Sequence, residues 1–162
     1  MSTVYKKPYF LKTGIFKGRS LEEMMFTLDG YNHLQRIKRK LIAEGGNIGF
    51  LKRLDEVLIR GRNLRIKKKC LCEKAKASLL ACKRGIDGTV FVGLYCETCK
   101  DEAPIGYSLI PLSFASLSRF GSNVDKNCFL RELRHVCDLE LEGRVDDHKA
   151  FVAFFPGNPR LL

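Results

Sequence analysis

Two short cysteine motifs, Cys70-Leu-Cys72 and Cys96-Glu-Thr-Cys99, decide the fold of the middle of this chain. The 23 residues between them read as two strands, over residues 76–83 and 89–95, joined by a turn at Gly85-Ile-Asp-Gly88. A hairpin brings its two ends together, so both motifs come to the same end of it. The spacing therefore predicts that four thiols converge on one point.

Four thiolates at one point make a tetrahedral Zn²⁺ site, with each sulfur about 2.3 Å from the metal. The two-stranded insert between the motifs is typical of a zinc ribbon. Four protein ligands leave no position for a water or a substrate, so the predicted role of the metal is structural. An iron–sulfur cluster accepts the same ligands and stays open as an alternative. We predict one Zn²⁺ bound by Cys70, Cys72, Cys96 and Cys99.

The other uses of cysteine fit this chain less well. Seven cysteines leave one unpaired in any disulfide framework, and residues 1–12 lack the apolar run of a secretory signal. A thioredoxin-type CxxC opens a helix, whereas Cys96 follows a predicted strand.

Three cysteines lie outside the two motifs. Cys82 falls in a predicted strand and is expected to pack as a small hydrophobic residue. Cys128, His135 and Cys137 fall within one predicted helix, where Cys137 points away from the other two. Core packing is favoured there over a second metal site.

Positive charge is concentrated in one segment. The 162 residues carry 29 Lys and Arg against 18 Asp and Glu, for a formal net charge of +11. Residues 33–76 hold fourteen of the basic residues and four of the acidic ones. Clustered Lys and Arg favour a polyanionic partner because each contact with a phosphate releases condensed counterions. A solvated basic face, an acidic protein and an anionic lipid surface are the alternatives.

Composition predicts a folded, cytoplasmic protein. Hydrophobic residues make up 45% of the chain, which is enough to bury a core. The sequence has no run of about 18 apolar residues, the minimum for a membrane-spanning helix. No membrane partner is therefore expected.

The first sixty residues predict three short helices after an extended segment. Residues 9–16 are rich in aromatic and β-branched side chains, which favour a strand. Ser20-Leu-Glu-Glu23 is a capping box that starts a helix, and Asp29-Gly30 is predicted to end it. A second amphipathic helix is predicted over residues 31–43, and a third begins at Asn47.

The stretch Thr13-Gly-Ile-Phe-Lys-Gly-Arg-Ser-Leu-Glu-Glu-Met24 precedes Asp29-Gly-Tyr31 and a basic helix. In this arrangement, residues 9–61 resemble the small module at the C-terminal end of exodeoxyribonuclease X-like proteins. Leu34 stands where that module usually has an aromatic residue. The resemblance implies an accessory, DNA-linked module and carries no catalytic residue. The module's pattern is filled here by Gly14, Lys17, Gly18, Arg19, Leu21 and Tyr31.

The last third of the chain predicts mixed structure. Residues 103–112 contain two prolines and read as an extended connector. Residues 124–137 form an amphipathic helix that Ser122 or Asn123 can cap, and residues 139–142 and 150–155 are predicted strands.

The predicted fold class is α+β, with a small helical N-terminal module, a zinc-ribbon β-hairpin and a C-terminal helix with short strands. The corresponding domains are residues 1–62, 63–103 and 104–162, with one compact unit as the alternative.

No catalytic constellation is visible, and we predict a protein that is not an enzyme. The sequence contains no phosphate-binding glycine loop, no HExxH and no GxSxG. The acidic residues near its C-terminal end follow no two-metal nuclease pattern. These residues are Asp138, Glu140, Glu142, Asp146 and Asp147.

Two functions from different classes fit these observations. The first is a zinc-ribbon accessory protein that contacts the phosphate backbone of DNA or RNA. The second is a docking subunit of a larger nucleoprotein assembly such as a polymerase, ribosome or nuclease complex, and a small nuclease ranks third. Phe91 and Tyr95 are expected in the core, with stacking on an unpaired base as the alternative. The predicted nucleic-acid contacts are Lys17, Arg19, Arg36, Lys38, Arg39, Lys40, Arg60, Arg62, Arg65, Lys67, Lys68 and Lys69.

Overall fold

Side-chain caps start helices at the positions that the sequence predicts. The Ser20 hydroxyl accepts a hydrogen bond from the Glu23 amide at 3.1 Å, and Asn47 accepts one from Phe50 at 3.0 Å. Ser122 caps a later helix in the same way, accepting from the Asp125 amide at 3.1 Å. Each cap satisfies one of the amides that a helix leaves unpaired at its first turn.

The computed structural model describes residues 8–86, 88–141 and 144–155. Helices and a small antiparallel sheet make the fold α+β, as predicted. The chain forms two units, Met1–Arg65 with Leu139–Leu162, and Ile66–Asp138. We call them the helical unit and the cysteine unit. This division differs from the predicted domains, since residues 104–138 lie with the cysteine motifs and residue 139 onward with the helices.

The helical unit contains α1 (Leu21–Met25), α2 (Leu28–Glu44), α3 (Ile48–Arg60) and α5 (Asp147–Phe154), with two-residue strands β4 (Glu140–Leu141) and β5 (Arg144–Val145). Its core is apolar and fully buried. The Phe26 and Phe154 rings meet edge to face at 5.6 Å, which joins the first helical turn of the chain to the last. The largest buried side chains are Leu21, Met24, Met25, Phe26, Leu34, Leu54, Phe151 and Phe154.

The predicted end of the first helix at Asp29-Gly30 is wrong. α1 ends at Met25, and α2 begins at Leu28 because the Thr27 hydroxyl caps it by accepting from the Gly30 amide at 3.2 Å. Gly30 lies in the first turn of α2, where a Cβ would lie 2.4 Å from the Met24 carbonyl oxygen. Glycine is therefore needed there for close approach rather than for stopping a helix.

The predicted strand over residues 9–16 is also wrong, since only a single bridge pairs Phe10 with Ser20. Gly14 has φ of 85° and turns the chain back on itself. The strand pairing cannot continue beyond Ser20 because the chain becomes helical at Leu21.

The predicted strand over residues 150–155 is a helix, α5. Asp146 caps it by accepting from the Lys149 amide at 2.8 Å, so this acidic residue starts a helix. Its buried residues, Ala150, Phe151, Ala153 and Phe154, recur at helical spacing. A short apolar run suits a buried strand and a buried helix equally, and here the Asp146 cap and the packing of Phe154 against Phe26 both favour the helix.

A buried ion pair crosses the helical unit. Arg53 Nη2 on α3 lies 2.6 Å from Glu22 Oε1 on α1, and the two side chains are 12% and 0% exposed. The Arg53 guanidinium also lies 4.4 Å from the centre of the Phe155 ring. Burial lowers the pKa of Arg53, and the negative charge of Glu22 opposes that change.

The cysteine unit contains β1 (Leu79–Gly85), β2 (Gly88–Tyr95), β3 (Ser108–Pro111) and α4 (Asn123–Cys137). The predicted hairpin is confirmed, and the strands form one antiparallel sheet in the order β2-β1-β3. The third strand comes from the segment predicted as a connector. The turn between β1 and β2 includes Asp87, which lies outside the described residues.

Side chains pack on both faces of this sheet, although Val90 and Val92 of β2 stay exposed. On one face the Phe91 ring lies 6.0 Å from Phe120 and 6.3 Å from Phe129 of α4. On the other, Tyr95 is buried in a small cluster with Leu79 and Ala81. Tyr95 is thus part of the core, and Phe91 is half-buried with its ring against Phe120 and Phe129.

The outer strand β2 is tied at both ends. The Thr89 amide donates to Asp125 Oδ1 at 3.3 Å, and the Leu94 carbonyl accepts from the Leu71 amide at 3.1 Å. These contacts occupy backbone groups through which another strand would pair. Within the described parts of both units, no helix has the length and apolar character that spanning a bilayer requires.

Candidate metal centre and basic surface

The first cysteine motif is held in a tight backbone turn. The Cys70 amide donates to the Ala75 carbonyl at 2.9 Å, and the Glu73 amide donates to the Cys70 carbonyl at 2.9 Å. Glu73 has φ of 59°, a left-handed conformation that closes the turn. A bridge between Lys69 and Lys76 fixes the two ends of the turn.

The second motif forms a similar turn at the end of β2. The Cys99 amide donates to the Cys96 carbonyl at 3.1 Å, and the Glu102 amide donates to the Cys99 carbonyl at 3.0 Å. The Ser78 amide donates to the Tyr95 carbonyl at 2.9 Å, which places the start of β1 beside this turn. The two motifs therefore meet at one end of the sheet, as the hairpin predicts.

The four predicted ligand sulfurs converge. The Sγ atoms of Cys70, Cys72, Cys96 and Cys99 all lie within 4.8 Å of one another. A tetrahedral site with bonds of about 2.3 Å has sulfur–sulfur separations of about 3.8 Å, so the cluster has the size that a metal ion requires. Cys70 and Cys96 are buried, while Cys72 and Cys99 are partly exposed. The four cysteines can thus hold a metal ion.

The electrostatics of the cluster favour a thiolate at Cys72 and Cys96 and a protonated thiol at Cys99. The Lys74 amide, followed by the Cys70 thiol, lowers the pKa of Cys72 to about 7. Burial opposes ionisation of Cys96, but hydrogen bonds from the Cys99 amide and thiol outweigh it and lower the pKa of Cys96. Cys99 has a raised pKa because it donates its proton to Cys96 and Cys72. Such a cluster exchanges protons for a cation when it binds metal.

The remaining cysteines lie apart from this centre. Cys82 and Cys137 are buried, Cys128 is half-buried, and His135 is exposed. In the described ranges, no further group of three or more potential ligands comes together. Of the three residues on α4, Cys137 packs in the core, whereas Cys128 is only half-buried and His135 is exposed.

We expect iodoacetamide at about pH 8 to label Cys128 in the folded, metal-loaded protein and to spare Cys82 and Cys137. Burial raises the pKa of Cys137 to about 12 and also raises the pKa of Cys82, so both stay protonated and unreactive. The folded state holds the Cys137 proton more tightly than the unfolded chain, whose thiol has a pKa of 9.0. Its contribution to stability is therefore complete below that pH and lost as the pH rises toward 12.

Mass mapping of the labelled peptides checks this prediction. Labelling of Cys137 as fast as Cys128 would contradict the burial described here. A chelator added before the reagent should make all seven cysteines reactive, because loss of the metal unfolds the cysteine unit that contains them.

The basic residues of α2 do not all serve the same purpose. Arg36, Arg39 and Lys40 are exposed and share one face of the helix, since they stand three and four residues apart. Lys38 instead ties α2 to α3, with Nζ 2.8 Å from Asp55 Oδ1. The structure thus brings three of the four predicted contacts together and uses the fourth inside the unit.

The N-terminal turn places Lys17 and Arg19 on the surface. Arg19 lies 3.8 Å from Glu23 and stacks over the Phe16 ring at 5.8 Å. Its guanidinium is therefore partly engaged before any partner binds.

The predicted basic contacts from Arg60 to Lys69 are divided between the two units. Arg60 packs on the Phe155 ring at 4.6 Å and lies 3.6 Å from Glu56, so it supports the helical unit. Arg62 and Arg65 are exposed in the same unit. Lys67, Lys68 and Lys69 are exposed in the cysteine unit.

The predicted nucleic-acid contacts leave out several basic residues that the structure exposes. Lys74 and Lys76 lie in and beside the first cysteine turn, and Lys52 lies on α3. The bridge between Lys69 and Lys76 brings two lysines from opposite sides of that turn together. The short distance in sequence between the two ends of the turn around Cys70 was the signal that could have predicted this pairing.

Among the described residues, the acidic side chains form no group of three or more potential metal ligands. Asp146 caps α5, and Asp138 ends α4 in a left-handed conformation with φ of 56°. Glu142 lies outside the described ranges.

No family model, curated protein or solved structure matches this chain. The resemblance of residues 9–61 to the exodeoxyribonuclease X module stays a prediction.

Proposed function

We propose that this protein is an accessory nucleic-acid-binding protein, held in shape by one structural Zn²⁺. The observation that carries the proposal is the exposed basic face of α2, formed by Arg36, Arg39 and Lys40. Three cations on one helical face, on a chain with a net charge of +11, suit the phosphate backbone of DNA or RNA. Arg62 and Arg65 are further exposed cations of the helical unit, and Lys67, Lys68 and Lys69 are exposed cations of the cysteine unit.

The proposed metal is zinc because of the ligand set. Four cysteine sulfurs favour zinc or an iron–sulfur cluster over magnesium or calcium, which take oxygen ligands. Four thiolates complete a tetrahedral coordination shell, so the metal is proposed to stabilise the fold without taking part in chemistry. The proposal is accordingly a binding function and not an enzymatic one.

The first test is a salt series of binding to single- and double-stranded DNA and RNA, with metal content measured on the same sample. We expect about one zinc per chain and an affinity that falls steeply with salt for at least one polymer. Weak binding to every polymer at about 50 mM salt would contradict the proposal and would favour a subunit that docks on protein.

Charge reversal on α2 should weaken binding strongly. We expect the Arg36→Glu/Arg39→Glu/Lys40→Glu variant to lose at least about 100-fold in affinity at about 100 mM salt. The slope of log affinity against log salt should become shallower by about 3, because three phosphate contacts are removed. Fluorescence anisotropy with labelled oligonucleotides measures both quantities.

A matched control separates this face from the effect of net charge. Lys100→Glu/Lys126→Glu/Arg131→Glu makes the same charge change in the cysteine unit and should alter affinity far less. Equal losses in the two triple variants would remove the α2 face from the proposed interface.

A further inference from the structure

The distal parts of α2 and α3 form an arm, which we define as residues 36–52. None of these residues is buried. The buried residues of the two helices, Leu28, Gly30, Leu34, Leu54 and Val57, all lie outside this range. The arm therefore extends away from the core of the helical unit.

The tip of the arm is apolar. Ile42 in the last turn of α2 is 64% exposed, and Ile48 at the start of α3 is 69% exposed. Single exposed apolar residues are ordinary on protein surfaces, but here two exposed β-branched side chains flank one projecting turn, which also carries the exposed Glu44 and Asn47.

The turn that carries these side chains is tightly built. Gly45 has φ of 71°, and a Cβ at Gly46 would lie 2.4 Å from Leu41 Cδ2. Asn47 caps α3 at 3.0 Å, and the Lys38–Asp55 ion pair joins the helices at 2.8 Å. These contacts hold the tip in one conformation without burying it.

The charge of the arm selects its partner. Residues 36–52 include five Lys or Arg and a single Glu, which disfavours pairing with a second, equally basic copy. Arg39, Lys40 and Lys52 are exposed beside the apolar tip. A nucleic acid offers both matching features, since phosphates lie on its outside and apolar base faces lie within.

Resting on the nucleic-acid function proposed above, we infer that the tip is a wedge that separates stacked bases. Arg36, Arg39 and Lys40 contact phosphates, and Ile42 and Ile48 enter between adjacent bases. Ile42 follows Lys40 by two residues, about 3 Å along the helix axis, so the apolar tip lies just beyond the cations. Inserted Ile, Leu or Phe side chains unstack base steps in the same way in proteins that bend DNA.

The test uses the full-length, metal-loaded protein and duplexes that carry the fluorescent base aminopurine at successive positions. The wild-type protein should raise the fluorescence several-fold at one or two positions, because unstacking relieves quenching. Ile42→Ala/Ile48→Ala should bind within about threefold of wild type but lose most of that rise, since the cations remain. Ile59→Ala, which truncates another exposed isoleucine of α3, is the matched control and should behave as wild type.

A second measurement compares a fully paired duplex with one that contains a mismatch. A wedge binds more tightly where the bases are already partly unstacked. The wild-type protein should therefore prefer the mismatched duplex, and the double variant should not. All three proteins should give the same melting temperature, because the substituted residues are exposed.

The outcomes separate the wedge from the function on which it rests. Binding without a fluorescence rise, or an equal rise in the double variant, overturns the wedge and leaves the nucleic-acid function standing. Failure of wild type to bind any polymer removes both. Ile42/Ile48-dependent dimerisation in light scattering, or binding to anionic vesicles in place of duplexes, would assign the tip to another partner and also overturns the wedge.

Discussion

We expect the Cys96→Ser variant to lose its bound metal and, with it, the folded structure of the cysteine unit. The core beside the metal centre is small, consisting of Leu79, Ala81 and Tyr95 with a few partly buried neighbours. The two cysteine turns are otherwise held by a few backbone hydrogen bonds. Structural zinc contributes folding free energy directly, and small domains of this kind are unfolded without it.

Elemental analysis should show a fall from about one zinc per chain to almost none. Amide dispersion in NMR spectra should collapse for residues of the cysteine unit. Cys128→Ser is the matched control, because Cys128 lies outside the cluster, and it should retain the metal. A variant that keeps full metal content would show that Cys96 is not a ligand, and visible absorption with bound iron in wild type would identify an iron–sulfur cluster.

Arg53→Ala should destabilise the helical unit by about 3–5 kcal/mol, the range for breaking one side of a buried ion pair. Glu22 is fully buried and accepts from Arg53 at 2.6 Å, so removal of the guanidinium takes away the principal counter-charge shown for it. The same substitution removes the cation–π contact with Phe155 and leaves a space beside Phe151.

Urea unfolding monitored by circular dichroism measures this change. Arg60→Ala serves as the control, because Arg60 is on the same helix and stacks on the same Phe155 ring but its side chain is 45% exposed. We expect that variant to lose about 1 kcal/mol or less. Equal losses of stability in the two variants would mean that the ion pair with Glu22 contributes nothing beyond the stacking on Phe155. Glu22→Gln/Arg53→Met should recover part of the loss, since it removes both charges.

The sequence predicted the convergence of the four cysteines because its geometry is local. Two tight turns and one hairpin suffice to bring Cys70, Cys72, Cys96 and Cys99 together. Each of these elements is formed by consecutive residues. The caps at Ser20, Asn47 and Ser122 were predictable for the same reason, since each hydrogen bond spans three residues.

The errors fall where local patterns allow two structures. The run from Ala150 to Phe155 suits a strand or a helix. The helix is favoured because its Phe154 ring packs against Phe26, which is distant in the sequence. Gly30 resembles a helix stop, but its role follows from close contact with Met24 across a helix boundary.

The sequence by itself determined the convergence of the four cysteines, the starts of α1, α3 and α4, and the concentration of basic charge. Only the tertiary structure decided which cations are available to a partner. Lys38 is drawn to Asp55 and Arg60 to Phe155, whereas Arg36, Arg39 and Lys40 remain on the surface. Charge is a property of each residue, but exposure depends on neighbours that are distant in the chain and are brought together only by folding.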